Sequence, residues 1–326
     1  MLRQPTGFLF AAIAVALLYF AFSGAARKRQ AGLAGGPQGP ATHTSATSRP
    51  PARDSETIRI ASFNLRQFDE RRLQSPGAVE LLAKILRQFD VIAVQEITGR
   101  SQELLPALCD RINSQGAYYD YVVGPRLGRG NTKEQYAFLY DRASVEVDRN
   151  QLYTVEDRDD LLHREPLVGW FRVRGPNANE AFTFSLVNVR VDERETVQEL
   201  NVLDDVFFAV RSDGLEEDDV ILLGDLNADD RKLGELGRVP NLLAVVAKLA
   251  TTTRGDAQVD NILFDQQATS EFTGRGGTLD FLREYNLSLE QAQVISDHLP
   301  VWAEFSVFEG GTAGRFATRP RRDSRR

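Results

Sequence analysis

From residue 57 onward the apolar positions fall into short runs that predict strands: TIRIASFNL, DVIAVQEI, YAFLYD, PLVGWFRV, FTFSLVNVRV, DVILLGDL, VDNILFD and LPVWAEFSV. In LVNVRVDERE, Val187, Val189 and Val191 alternate with Asn188, Arg190 and Asp192, the two-residue period of a strand with unlike faces. Two stretches follow the helical period instead. PGAVELLAKILRQF places Val79, Leu82, Leu86 and Phe89 at helical spacing behind a proline, and a helix over about 193–212 would put Val197, Leu200, Leu203, Phe207 and Val210 on one side. Several consecutive strands with few crossover helices favour a mixed sheet or two packed sheets over a purely doubly wound one.

The ends of the chain differ from this middle. Gly7 to Ala26 carry no charge, long enough to approach a bilayer span, and Ser23-Gly24-Ala25-Ala26 would permit cleavage. Residues 1–26 are therefore expected to be a signal peptide or membrane anchor, 27–56 a disordered Gly/Pro/Ser/Thr-rich linker, and 310–326 a basic disordered tail ending RPRRDSRR. The expected location is secreted or membrane-anchored, with the folded part outside the cytoplasm. Removing the 12 basic and 3 acidic side chains of the ends from the chain's 39 and 46 leaves 27 and 43 in residues 57–309, a net of −16. A polyanion would have to bind there against the average charge, helped by a local basic patch or metal ions. The single cysteine, Cys109, rules out an internal disulfide, and no Cys/His cluster offers a zinc site.

Five predicted strands end in carboxylate, amide or imidazole groups. They are Asn64 in IASFNLR, Glu96 in IAVQEIT, Asp225 and Asn227 in LLGDLNAD, Asp260 in QVDNILF, and Asp297-His298 in ISDHLPV. Singly, each is explained by a turn or a helix cap. Together they are an oxygen-rich set suited to a hard cation such as Mg2+ or Mn2+. SFNLR, VQEI, GDLNAD, VDNILF and SDHLP, in this order, resemble the endonuclease/exonuclease/phosphatase superfamily, and within it most closely its deoxyribonuclease I branch. GPRLGRGNTKEQYAFLYDRASVEV and HREPLV are similar to further stretches of that branch, so the resemblance covers almost all of residues 57–308.

The resemblance implies an α/β fold, a four-layer α/β/β/α sandwich with two packed mixed sheets, and a divalent-metal-dependent phosphodiesterase. It implies Glu96 as principal metal ligand, with Asn64 and Asp297 completing or neighbouring the site. Asp225 and Asn227 would position the attacking water and a phosphate oxygen, and His298, oriented by Asp260, would be the general acid or base. Arg129, Arg66 and Arg164 match positions near substrate phosphates, each with a surface ion pair as the plainer alternative. The substrate implied is nucleic acid, DNA before RNA, acted on by a monomer. A phospholipid or small phosphodiester, or a membrane-tethered domain that binds phosphate without turnover, are the rivals. One position departs. Where deoxyribonuclease I has a second catalytic histidine, this chain has Arg190, with Glu134 at the place of that histidine's carboxylate partner, and Thr132 stands where the branch has a DNA-contacting tyrosine. His163 is expected to be a strand-edge or surface residue. If the resemblance holds, Arg190 points into the cleft within salt-bridge reach of Glu134.

Overall fold

The computed structural model of the chain describes residues 45–47, 50, 54–131 and 133–311. The apolar segment before residue 27, Thr132 and the tail beyond 311 lie outside the described residues. Among the described residues no helix is long and apolar enough to cross a membrane. The elements run β1 (Ser45–Thr47), β2 (Thr57–Phe68), α1 (Glu70–Leu73), α2 (Pro76–Leu86), β3 (Val91–Ile97), α3 (Leu104–Asn113), β4 (Tyr119–Val123), β5 (Gln135–Asp141), β6 (Val145–Thr154), β7 (Leu167–Val173), β8 (Thr183–Arg190), α4 (Thr196–Leu200), α5 (Leu203–Arg211), β9 (Val220–Asp225), β10 (Leu242–Ala244), β11 (Asp260–Asp265), β12 (Phe272–Thr278), α6 (Phe281–Glu284), α7 (Leu289–Ile295) and β13 (Val301–Ser306). Within the expected linker, β1 pairs parallel with β12; most of the rest lies outside the described residues.

Two mixed sheets face each other, one ordered β1-β12-β13-β2-β3-β5-β4 and the other β10-β11-β9-β8-β7-β6. Ile60, Phe138, Phe171, Phe184, Ile221, Phe264 and Phe305 fill the space between them. The outer face of the first sheet packs on α2, α3 and α7 through Leu86, Leu108 and Ile295, among others. The outer face of the second packs on α5 through Val187, Val189, Leu203 and Phe207. The result is the four-layer α/β/β/α sandwich.

The two-residue period decides where the polar groups go. Along β8, Phe184 and Leu186 face the other sheet and the valines face the helices, so Asn188 and Arg190 continue the inter-sheet side. The polar face of LVNVRV is thus turned inward, not toward solvent. Asn188 is fully buried; its amide donates to the carbonyls of Val94 and Ala137 and accepts from Gln95 at 2.7 Å, joining the two sheets just below the cleft.

The expected helix over 193–212 is two helices. The chain breaks at Asn201, whose side chain accepts from the Glu235 backbone N–H at 2.9 Å, and the change of direction leaves Val197 70% exposed rather than on the packed side.

Candidate active site

The strand pairings bring the functional residues to one end of the sandwich. β2 and β3 carry Asn64 and Glu96 there near their C-terminal ends, and β8 and β9 finish there with Arg190 and Asp225. β5, β11 and β13, antiparallel to their neighbours, begin there, preceded by or starting with Glu134, Asp260 and His298. In register, Asp225 lies between Arg190 on β8 and Asp260 on β11. Gly224 makes that spacing possible: its φ is +154°, and a Cβ there would lie 1.9 Å from the Val189 carbonyl oxygen. Irregular pairing in β2 and β3 aims the remaining groups. Arg66, Gln67 and Glu96 all have positive φ, a backbone region rarely used by such residues. Held this way, Glu96 turns its carboxylate into the cleft and accepts the Gln67 backbone N–H at 2.9 Å.

Arg190 reaches three carboxylates. Its guanidinium lies 2.9 Å from Glu96 Oε1, 3.5 Å from Glu134 Oε2 and 3.7 Å from Asp225 Oδ2, as the sequence led one to expect for Glu134. Its backbone N–H donates to the buried Tyr136 hydroxyl at 3.0 Å, which fixes the strand end. Asn64 is fully buried and donates its amide N–H groups to Glu96 Oε1 and Asp225 Oδ2, both at 3.0 Å. Its Oδ1 accepts from the Arg66 backbone. In this orientation Asn64 holds the two acids together through its amide N–H groups and keeps its oxygen on the Arg66 backbone. On the other wall, His298 Nδ1 sits 2.9 Å from Asp260 Oδ2, leaving Nε2 4.0 Å from Asp225 and 3.9 Å from Asp297. The Thr251 hydroxyl accepts the Asp260 backbone N–H at 3.0 Å and anchors the aspartate.

Burial pushes the Asp225 and Glu134 carboxyls up, only partly opposed by His298 and Arg190 for Asp225 and by Arg190 and Arg164 for Glu134. Burial pushes Glu96 the same way, but Arg190, the Asn64 amide and the Gln67 N–H outweigh it and hold Glu96 below its ordinary value. Burial disfavours the His298 imidazolium, yet Asp260, Asp225 and Asp297 carry it up to about 10. The site is therefore rich in carboxylates, with Arg190 at its centre, Arg164 on Glu134, Arg66 on Asp297, and a His298 imidazole whose charged form is favoured by the surrounding acids.

The other expected residues are placed as follows. Asn227 donates its backbone N–H to Asp225 Oδ1 at 3.1 Å and its amide N–H to the Val191 carbonyl at 2.7 Å, which holds the turn after β9. Asp297 is at the cleft rim, 3.3 Å from Arg66, both about two-fifths exposed. Arg129 is paired with Asp160 and Glu195. Arg164 is buried and forms an ion pair with Glu134 at 2.6 Å, so it supports the acid beside Arg190 rather than the open surface. His163 is buried, 3.6 Å from Asp192, not on the surface as expected. Sequence reasoning missed Gln67, Tyr136, Asn188 and Thr251. Asn188 carried a signal, lying two residues before Arg190 on the same strand face.

A cavity of about 530 Å³ opens beside Asn227, lined in part by Arg231, Lys232 and Lys248. These basic residues too were not singled out by the sequence.

Comparisons with known proteins agree with this fold. The Endonuclease/Exonuclease/phosphatase family profile matches residues 61–298. Deoxyribonuclease gamma of Rattus norvegicus is 32% identical over 262 residues, 75% of this chain and 83% of its own length. Deoxyribonuclease-1-like 1 of Bos taurus is 30% identical over 269 residues, covering 78% and 83%. Among solved structures, humanized D. rerio TDP2 superposes with a TM-score of 0.54 at 15% identity, over 77% of this chain and all of that one. With its sequence, its four-layer fold and its strand-end polar groups in agreement, this chain belongs to the endonuclease/exonuclease/phosphatase family of phosphoester hydrolases.

Proposed function

We propose that the protein is a divalent-metal-dependent phosphodiesterase, a deoxyribonuclease I-like endonuclease in which Arg190 stands in place of one catalytic histidine. The observation that carries this is the convergence of the His298–Asp260 pair, Asp225, and the Asn64–Glu96 pair on one cleft spanned by Arg190. The donor set fits a hard cation: its charged ligand atoms are carboxylate oxygens, Glu96 stays ionised, and the buried Asp297 Oδ1 has no hydrogen-bond partner. Glu96 and Asp297, beside Asn64, are the residues to hold Mg2+ or Mn2+. Such an ion, when bound, neutralises phosphate charge and acidifies water.

The protein's own groups do the rest. Asp260 on Nδ1 fixes the imidazole so that Nε2 faces the substrate space, and the protonated ring can hand a proton to a phosphate or leaving oxygen. Asp225 orients the attacking water. Arginine does not give up its proton near neutral pH, so Arg190 replaces acid catalysis with charge. It offsets three acids that would otherwise repel a phosphate, and its N–H groups stabilise the transition-state oxygens. We also propose that residues 1–26 direct the chain out of the cytoplasm or hold it at the membrane.

The deoxyribonuclease relatives favour DNA as substrate. The net charge of −16 over residues 57–309 favours a second reading, hydrolysis of a phospholipid or small phosphodiester. The purified protein should nick supercoiled plasmid with Mg2+ or Mn2+ and lose this in EDTA and in Glu96→Ala. Lipid cleavage without plasmid nicking would select the second reading. Failure to cleave DNA, RNA or phospholipid with any divalent metal would overturn both and leave a binding domain.

A further inference from the structure

A second group of acids sits at the other end of the sandwich. Asp219 immediately precedes β9, which ends at Asp225, so the two lie about 20 Å apart along the strand. Glu271 immediately precedes β12 in the first sheet, and Glu309 follows β13. One carboxylate oxygen from each of Asp219, Glu271 and Glu309 lies within 4.8 Å of the others, and Glu217 and Asp218 adjoin Asp219 at the same spacing. Asp219 and Glu271 are only 1% and 2% exposed.

Carboxylates this deep are normally paired with a cation. Among the described residues none of these has a basic side chain within ion-pair reach. Asp219 Oδ1 and Glu271 Oε2 are buried without a well-formed hydrogen bond, the Thr269 hydroxyl lying beside Asp219 and the Ser270 hydroxyl 3.4 Å from the other Glu271 oxygen. The backbone does hold the arrangement: Gly310 N–H donates to the second oxygen of Glu271, and Thr183 N–H donates to Glu309 at 3.2 Å. Glu217 is fully engaged, by the Trp170 indole at 2.9 Å and by the Asp219 backbone at 3.0 Å. The acids therefore have a built frame, with free oxygens left on its inside. Burial and the neighbouring carboxylates hold Asp219, Glu271 and Glu309 all above their ordinary values. Such a group needs either protons or a cation.

We propose that Asp219, Glu271 and Glu309 form a structural Ca2+ site, separate from the catalytic cleft, that joins the two sheets at the opposite end of the sandwich. Ca2+ suits it because the oxygens come from three different loops and Ca2+ accepts irregular sets of six to eight oxygens. Backbone carbonyls, the Thr269 hydroxyl and water would supply the remainder.

Trp170 provides the readout. Its indole is bonded to Glu217, so Tb3+ bound in this site would be sensitised by tryptophan excitation. In the full chain carrying Glu96→Gln, which disables the proposed catalytic site, tryptophan-sensitised Tb3+ emission should persist and be displaced by Ca2+. It should fall sharply in Trp170→Phe but not when the chain's other tryptophan is changed, Trp302→Phe. Asp219→Asn with Glu271→Gln should weaken Ca2+ displacement and the Ca2+-dependent rise in Tm, at least about tenfold in affinity, since affinity follows ligand charge. Glu309→Gln, at an exposed position, should weaken both without risk to folding. The proposal is overturned if these variants bind Ca2+ like the parent, or if Glu96→Gln shows no Ca2+-dependent rise in Tm. Stabilisation by acid alone would then assign the cluster to shared protons.

Discussion

Arg190 sits where three buried acids would otherwise repel one another, and substitutions there test both fold and chemistry. It is about one-fifth exposed and paired with Glu96, Glu134 and Asp225. Removing one member of such a buried group leaves charge uncompensated and costs about 3–5 kcal/mol. Arg190→Gln is thus expected to lower the unfolding free energy of the metal-free protein by about this amount in urea titrations, with Arg190→Lys recovering part of it. Arg190→His tests the chemistry. A histidine regains the side chain found in deoxyribonuclease I but, when neutral, no longer balances the acids. Plasmid nicking at pH 8 should fall by roughly 10²-fold, the scale of one transition-state stabilising group. A rise would mean that the missing imidazole limits the reaction and that the arginine is no adapted part of it.

At the scale of elements, α4 matters because Glu199 ties two loops to the end of β8. Its carboxylate, 1% exposed, accepts the backbone N–H of His163 at 3.0 Å and of Asp192 at 3.2 Å. Burial raises its pKa to about 7, against those two bonds and Arg164. A carboxyl raised on folding contributes stability that is complete below about 4.5 and is lost as pH climbs through about 7. Denaturation midpoints should therefore decline between pH 5 and 8 by a component that Glu199→Ala removes, with an overall loss of about 1–3 kcal/mol from the orphaned N–H groups. An unchanged slope in the variant would exclude Glu199 as its source. The same element shows where pattern runs out. The eight strands visible in the sequence are mostly apolar runs buried on both sides. β6 (VEVDRNQLYT) and β12 (FTGRGGT) escaped because they are polar or glycine-rich and partly exposed. α3, with Pro106 in its first turn where proline is tolerated, was not among the elements singled out from the sequence. The helix over 193–212 was read as continuous because periodicity does not register the Asn201 break. Of the candidate site, the strand-end acids and amides that converge were legible because they are local in sequence, whereas Asn188, Tyr136 and Thr251 support them through contacts between elements.

For the whole molecule, the question is how a domain of net charge −16 would accept the polyanion that the proposed function requires. The cavity beside Asn227 gives an answer, since Arg231, Lys232 and Lys248 line it next to the proposed chemistry. Screening at physiological salt confines charge effects to about 8 Å. Three basic side chains against the two acids of the same cavity, Asp229 (paired with Lys232) and Asp256, then leave a small local excess of positive charge that acids on distant faces do not cancel. Long-range repulsion and local attraction then oppose one another, and salt weakens both. The rate of DNA cleavage should depend only shallowly on salt, in contrast to proteins whose binding is dominated by counterion release. Changing Arg231, Lys232 and Lys248 together to glutamine removes only the attractive part. kcat/KM on plasmid should drop about tenfold at moderate salt, as expected for loss of a few phosphate contacts, and the remaining rate should rise as salt is added. Hydrolysis of a nitrophenyl phosphodiester, too small to reach that wall and the scissile bond together, should stay the same. Equal losses on both substrates would mean that the basic wall supports the catalytic residues rather than a nucleic-acid strand, and would favour the small-phosphodiester reading.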